Sequence, residues 1–143
     1  LISILSLLFV LNVASMCSDD DDTSTQVSNP TEIASTLADG QWIVTLYKEN
    51  DVVQTSNYSG YNFTFGADGA LSATNGSTTQ SGDWSTYADS GYTKLDMMFT
   101  ALDGPFEEIS EDWRVISRTT TKIELKHISG GDGSTDYLTF EKD

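Results

Sequence analysis

The sequence predicts an all-β fold, a small antiparallel eight-stranded up-and-down barrel preceded by a short N-terminal helix. After Gly40, apolar and aromatic residues alternate with polar ones in short runs, which clusters of Gly, Asn, Asp and Ser separate at regular spacing. Because the side chains of a strand point alternately to its two faces, each run places its large residues together on an inward face. The chain has 143 residues, a length that one domain of this kind fills.

A helix is predicted to begin near Pro30, because proline suits the first turn and the acidic Glu32 interacts favourably with the helix dipole. Its apolar face would comprise Ile33, Ala34 and Leu37, and Gly40 would end it. The eight candidate strands that follow span residues 41–49, 58–65, 70–75, 79–86, 94–99, 113–118, 122–127 and 136–142.

The alternation also predicts which residues form the core. Large aromatic side chains dominate it, as suits a small barrel. The inward-pointing residues are Trp42, Val44, Leu46, Tyr61, Phe63, Phe65, Leu95, Met97, Phe99, Trp113, Val115, Ile123, Leu125, Leu138 and Phe140. The longest connection, residues 100–112, carries Leu102, Phe106 and Ile109, so we expect it to fold back over the barrel as a lid.

Residues 1–16 differ in composition from this domain and are interpreted as a truncated signal peptide. The stretch from Leu1 to Ala14 is apolar except for Ser3, Ser6 and Asn12. It is too short for a membrane-spanning helix, which needs about 20 residues, but has the length of a secretory signal core. We expect a positively charged segment to precede Leu1.

Cys17, the only cysteine, follows this stretch and is predicted to carry a lipid anchor. The sequence Ala14-Ser15-Met16-Cys17 resembles the lipobox of bacterial lipoproteins, and the aspartates at 19–22 resemble the export signal of Bacteroidetes-type surface lipoproteins. The resemblance implies acylation of Cys17, attachment to the outer membrane and exposure at the cell surface. Residues 17–29 would form an acidic disordered tether. The alternative is a soluble secreted protein with an incidental thiol.

The charge of the chain excludes nucleic acid as a partner. It contains 22 acidic and 7 basic residues, for a formal net charge of −15. Nucleic-acid-binding proteins carry a basic surface instead. Contact with a membrane is therefore expected through acyl chains rather than through a basic patch.

Residues 30–143 resemble the lipocalin-like domains found in Bacteroidetes-type lipoproteins. The Gly40-Gln41-Trp42 segment is similar to the Gly-x-Trp that opens a lipocalin barrel, and the further matching segments are Tyr61 to Phe65, Asp68-Gly69, Gly82 to Ser85, Asp112 to Val115 and Leu138 to Lys142. This resemblance implies a barrel that binds a small apolar or amphipathic ligand. Its expected ligand-binding residues are Trp42, Phe63, Met97, Phe99, Phe106, Trp113, Leu125 and His127.

Enzymatic activity is not predicted, and neither a catalytic residue nor a cofactor is assigned. His127 is the only histidine, and we expect it to lie at the rim or in the core of the barrel, with contact to a ligand as the alternative. The carboxylates Glu107, Glu108, Glu111 and Asp112 are near one another in a chain where acidic residues are abundant, so they are not assigned as a catalytic pair.

The sequence also contains residues of the types that bind metals and carbohydrates. No metal is predicted, because Asp132, Ser134 and Asp136 fit a Gly-rich hairpin better than a calcium loop. Some of the aromatic residues are candidates for stacking on sugars, with core packing as the default: Tyr47, Tyr58, Trp84, Tyr87 and Tyr92.

Two function hypotheses remain. The first is a lipid-anchored ligand-binding barrel, and the second is a structural or protein-interaction module of a surface complex, with an envelope protein as its partner. A cavity of about 300 Å³ or more favours the first, whereas a filled interior favours the second.

Overall fold

The computed structural model describes residues 28–143. The predicted signal peptide, Cys17 and most of the predicted tether lie outside this range. The described chain contains α1 (Pro30–Leu37), β1 (Gln41–Glu49), β2 (Val52–Val53), a 3-10 turn (Thr55–Tyr58), β3 (Asn62–Phe65), β4 (Ala70–Thr74), β5 (Thr79–Asp89), β6 (Tyr92–Phe99), α2 (Pro105–Glu108), β7 (Asp112–Arg118), β8 (Lys122–Ile128) and β9 (Thr135–Lys142).

The strands form a closed antiparallel barrel, which confirms the predicted fold class. From β3 to β9 each strand pairs with the next, β1 pairs with β3, and β9 returns to pair with β1. These eight strands make up the barrel wall. The two-residue strand β2 adds only to the far end of β1, where Lys48 lies opposite Val53.

The helix α1 begins at a capping box formed by Asn29 and Glu32. The backbone N–H of Glu32 donates to Asn29 Oδ1 at 2.9 Å, and the backbone N–H of Asn29 donates to Glu32 Oε2 at 3.0 Å. These bonds satisfy two of the N–H groups that a helix start leaves free. The predicted apolar face is present, with Ile33 and Leu37 fully buried and Ala34 packed against the core.

Side chains of the barrel form hydrogen bonds with α1 and with a residue that precedes it. These bonds lie at the end of the barrel where β1 begins and β7 ends. The indole Nε1 of Trp42 donates to Leu37 O at 3.0 Å. Arg118 donates through Nε to Ser28 Oγ at 2.6 Å and through a terminal nitrogen to Thr36 Oγ1 at 2.9 Å. Ser28, which the sequence analysis placed in the tether, is therefore attached to the barrel, and α1 closes this end.

One predicted core position is wrong because β1 contains a β-bulge. The pairing of β1 with β9 shifts by one residue between Val44 and Leu46. A bulge inserts an extra residue and so reverses the inward and outward positions that follow it. Tyr47 is therefore buried, whereas Leu46 is only half-buried. Tyr58, predicted to begin a strand, instead ends the 3-10 turn.

At Gly82 the backbone of β6 leaves no room for a side chain. It lies in β5, opposite Leu71 of β4 and Phe99 of β6. A Cβ atom placed on Gly82 would lie 2.2 Å from the backbone oxygen of Met98 and 2.7 Å from the Cα of Phe99. Only glycine fits at this point without displacing the backbone of β6.

Candidate functional site

The end of the barrel opposite α1 is partly covered by the connection between β6 and β7. This connection contains α2, and its Phe106 side chain turns inward and is only 5% exposed. Tyr58 fixes the position of α2 because its hydroxyl donates to Pro105 O at 2.6 Å. The predicted lid is thus present, as a plug of one aromatic ring. We call this end the mouth.

Phe106 is surrounded by four aromatic rings that belong to different parts of the chain. The ring centroids lie 4.9 Å from Tyr61, 5.1 Å from Phe99, 5.6 Å from Tyr58 and 6.0 Å from Phe63. Three of these contacts are edge-on, the geometry that aromatic pairs prefer. The ring thus occupies the interior space directly below the mouth.

The structure brings seven of the eight predicted ligand-binding residues together in one continuous core cluster. Each of these seven side chains is buried among the other core residues of the barrel: Trp42, Phe63, Met97, Phe99, Phe106, Trp113 and Leu125. The eighth, His127, lies at the mouth. An interior ligand would have to displace some of these side chains, so the assignment of these residues to a ligand stays a prediction.

A cavity of about 350 Å³ lies at the mouth. Most of its lining is polar, and Tyr47 contributes the aromatic part. Burial, followed by the negative charge of Glu49, raises the pKa of Tyr47, so its hydroxyl stays neutral. Six carboxylates line the cavity, namely Glu49, Glu107, Glu108, Glu111, Asp132 and Asp136.

Glu108 is the carboxylate whose surroundings are least favourable to its charge. Its Oε2 atom is buried and has no hydrogen-bond partner within the described residues. Burial raises the pKa of Glu108, and the charges of Glu49 and Glu107 raise it further. A positive group in the cavity would relieve both effects, because it would partner the buried oxygen and offset the neighbouring charges.

His127 lies between two carboxylates at the edge of the cavity. Its Nε2 atom is 3.4 Å from Glu111 Oε2 and 3.6 Å from Asp112 Oδ1. Burial acts to raise the pKa of Asp112. The 2.9 Å hydrogen bond from Lys94, the charges of Lys94 and His127 and a backbone hydrogen bond together outweigh burial and hold the pKa below its ordinary value. Glu111, Asp112 and His127 each offer one ligand atom, and these three atoms lie within 4.8 Å of one another. This spacing fits a divalent cation.

This trio was not predicted from the sequence, because its members come together only through the pairing of β7 with β8. Asp112 begins β7, Glu111 directly precedes it, and His127 lies near the end of β8. An antiparallel hairpin brings these ends together, so the correct register was the missing signal.

The carboxylates considered as calcium ligands make structural contacts, Asp132 within the hairpin between β8 and β9 and Asp136 with the turn after β1. The backbone N–H of Ser134 donates to Asp132 Oδ1 at 2.9 Å, and Asp136 Oδ1 accepts from the backbone N–H of Asn50 at the same distance. The Ser134 bonds lower the pKa of Asp132. These contacts agree with the predicted Gly-rich hairpin.

The aromatic residues considered for carbohydrate stacking divide into two groups. Tyr47, Tyr58 and Trp84 are buried, as the default interpretation held. Tyr87 and Tyr92 lie on the outer wall and are 38% and 42% exposed. Only this second group is accessible to a large ligand.

Comparison with known proteins supports the barrel fold and leaves the family open. No family model matches the chain, and no curated protein matches it. A DUF4847 family protein from Bacteroides vulgatus ATCC 8482 is similar in structure, with a TM-score of 0.53 and 17% identity over 78% of this chain and 97% of that chain. A protein from Burkholderia xenovorans gives a TM-score of 0.46 and 18% identity over 91% of this chain and 99% of that chain.

Among residues 28–143, no helix has both the length and the apolar character that crossing a membrane requires.

Proposed function

We propose that this chain is a lipid-anchored envelope protein whose barrel binds a small organic cation in the cavity at its mouth. The observation that carries the proposal is the gathering of six carboxylates around one cavity, among them Glu108, whose buried Oε2 atom has no hydrogen-bond partner within residues 28–143. A buried acceptor without a partner costs roughly 1–3 kcal/mol, and an ammonium or guanidinium group would remove that cost.

The space available to a ligand favours the mouth of the barrel over its interior as the binding site. A cavity of about 350 Å³ is within the size range of small-molecule sites, which begins at about 300 Å³. The interior, by contrast, is occupied by Phe106 and the rings around it. The apolar ligand predicted from the lipocalin resemblance would require Phe106 to move outward.

The anchor and the location at the outer-membrane surface remain part of the proposal, based on Cys17 and the aspartates that follow it. The described chain begins at Ser28, which is bound at the end that α1 closes. The tether would therefore join the barrel at the end opposite the mouth. Membrane fractionation tests the anchor, because the Cys17→Ala variant should become soluble while the unaltered protein remains in the membrane fraction.

Calorimetric titration with putrescine tests the cation site, with 1,4-butanediol as the uncharged analogue. We expect putrescine to bind at physiological salt and the diol not to bind. The Glu108→Gln variant should bind putrescine about tenfold more weakly, which corresponds to roughly 1.4 kcal/mol.

Asp103→Asn is the matched control, because it removes one exposed negative charge from the same connection. We expect its affinity to change less than twofold. Equal losses in the two variants would mean that putrescine senses only the net charge of the protein, and the proposed site would then be rejected.

A structural or protein-interaction module is the second candidate, favoured by the filled interior. It predicts that neither putrescine nor an apolar probe binds, and that a solid barrel presents its outer wall to an envelope protein.

A further inference from the structure

The outer wall of the barrel carries a single row of basic and aromatic residues that runs around most of its circumference. The row follows the strand pairing: Tyr87 of β5 lies opposite Lys94 of β6, and Lys94 opposite Arg114 of β7. Arg114 lies opposite Lys126 of β8, and Lys126 opposite Tyr137 of β9. Tyr137 in turn lies opposite Lys48 of β1. We call these six residues the basic belt.

The belt is exceptional in so acidic a chain. It contains four of the seven basic residues of the protein and no carboxylate, although acidic residues outnumber basic ones by 22 to 7. Residues that face each other across a sheet point to the same side, so the six side chains form one continuous outward strip. Neighbouring strands are about 4.8 Å apart, so the strip is roughly 24 Å long.

The two central cations of the belt, Arg114 and Lys126, are available to a ligand. The guanidinium of Arg114 lies 3.6 Å from the ring centroid of Tyr92, which holds it flat on the wall. Within residues 28–143, neither Arg114 nor Lys126 has a carboxylate in ion-pair range, whereas Lys94 bonds Asp112 at 2.9 Å. A cavity of about 180 Å³ lies here, and its lining comprises Lys94, Asp112, Arg114, Lys126, His127 and Ile128.

We infer that the basic belt binds an acidic polysaccharide whose chain crosses the strands of the outer wall. Carboxylates of the polymer would bind Arg114 and Lys126, and its sugar rings would stack on the exposed faces of Tyr87 and Tyr137. Along the belt Tyr87 and Tyr137 flank three successive cations, an order that fits a polymer carrying both sugar rings and carboxylates.

The shape of the belt distinguishes this ligand from other polyanions. The belt spans six of the eight barrel strands, so no flat surface reaches all of it, and an anionic membrane is a poor fit. A nucleic acid carries a charge on every unit and is repelled by the net charge of −15. A polysaccharide with widely spaced charges is repelled less, and physiological salt screens its charges from protein carboxylates more than about 8 Å away.

Binding of hyaluronate, which carries a carboxylate on alternate rings, tests the inference by affinity electrophoresis and calorimetry at physiological salt. The carboxyl-reduced polymer serves as the uncharged control. We expect hyaluronate to bind and the double variant Arg114→Gln, Lys126→Gln to lose at least tenfold in affinity. Tyr137→Ala should lose about fivefold through stacking alone. Circular dichroism verifies that the variants are folded.

Lys122→Gln is the matched control, because Lys122 is exposed on the same strand as Lys126 but lies near the end that α1 closes. We expect it to leave binding unchanged, and Glu108→Gln should not weaken binding, which separates this site from the cation site. Failure of hyaluronate to bind, equal losses in Lys122→Gln, or preference for phosphatidylglycerol vesicles or single-stranded DNA would each overturn the inference.

Discussion

Replacement of Phe106 by alanine tests whether the plug at the mouth stabilises the barrel. The Phe106 ring is 5% exposed and contacts four other rings with centroid distances between 4.9 and 6.0 Å. Removal of a buried phenylalanine costs about 3–5 kcal/mol, and the hydroxyl of Tyr58 still holds α2 in place, so the space cannot fully collapse. We therefore expect a loss of about 4 kcal/mol.

Urea denaturation followed by tryptophan fluorescence measures this loss, with Leu102→Ala as the control. Leu102 lies in the same connection but is 94% exposed, so its truncation should change the free energy of unfolding by less than about 0.5 kcal/mol. A dry cavity left by Phe106→Ala should also bind benzene, which would raise the melting temperature of the variant only. A loss below about 1 kcal/mol for Phe106→Ala would refute the plug.

Two further predictions concern the wall and the mouth. Gly82→Ala should destabilise the protein by about 3 kcal/mol, the upper end of the usual cost of overpacking, because the new Cβ meets the backbone of Met98 at 2.2 Å. Gly130→Ala, where nothing lies within 4 Å, should be neutral in the same thermal melt. Glu108→Gln should stabilise the protein at pH 7 by about 1 kcal/mol. The pKa of Glu108 in the folded protein is raised above its ordinary value of 4.5. Ionisation of Glu108 therefore destabilises the fold as the pH rises above 4.5, and fully so above the folded-state pKa. The advantage of the variant should therefore vanish as the pH falls towards 4.5, and an advantage independent of pH would contradict this cause.

The fold could be predicted from the sequence because inward-pointing and outward-pointing side chains alternate along most of the barrel strands. Phe63, Leu95 and Trp113 all point inward as the period of two requires. The exceptions are β1, where the bulge between Val44 and Leu46 changes which residues point inward, and β7, whose pairing with β8 shifts between Val115 and Ser117. A bulge adds one residue without any characteristic composition, and pairing with β9 decides where it falls.

The candidate sites were largely beyond sequence reasoning because they depend on register between distant strands. The mouth gathers Glu49, Glu108 and Asp136 from separate parts of the chain. The belt likewise aligns Lys94, Arg114 and Lys126, which only the ladders of β6, β7 and β8 place side by side. Composition correctly indicated an acidic protein but concealed that most of its few cations share one row.

Closure of the sheet by β1 and β9 affects how copies of this protein tolerate crowding. A strand with unpaired backbone groups is a template for association with another chain, and a barrel largely removes such strands. In the described residues the exposed remnant is β2, where only Val52 and Val53 extend the sheet beyond β1. Many copies displayed side by side would thus present mostly side chains to one another, which guards a dense layer against joining into fibrils.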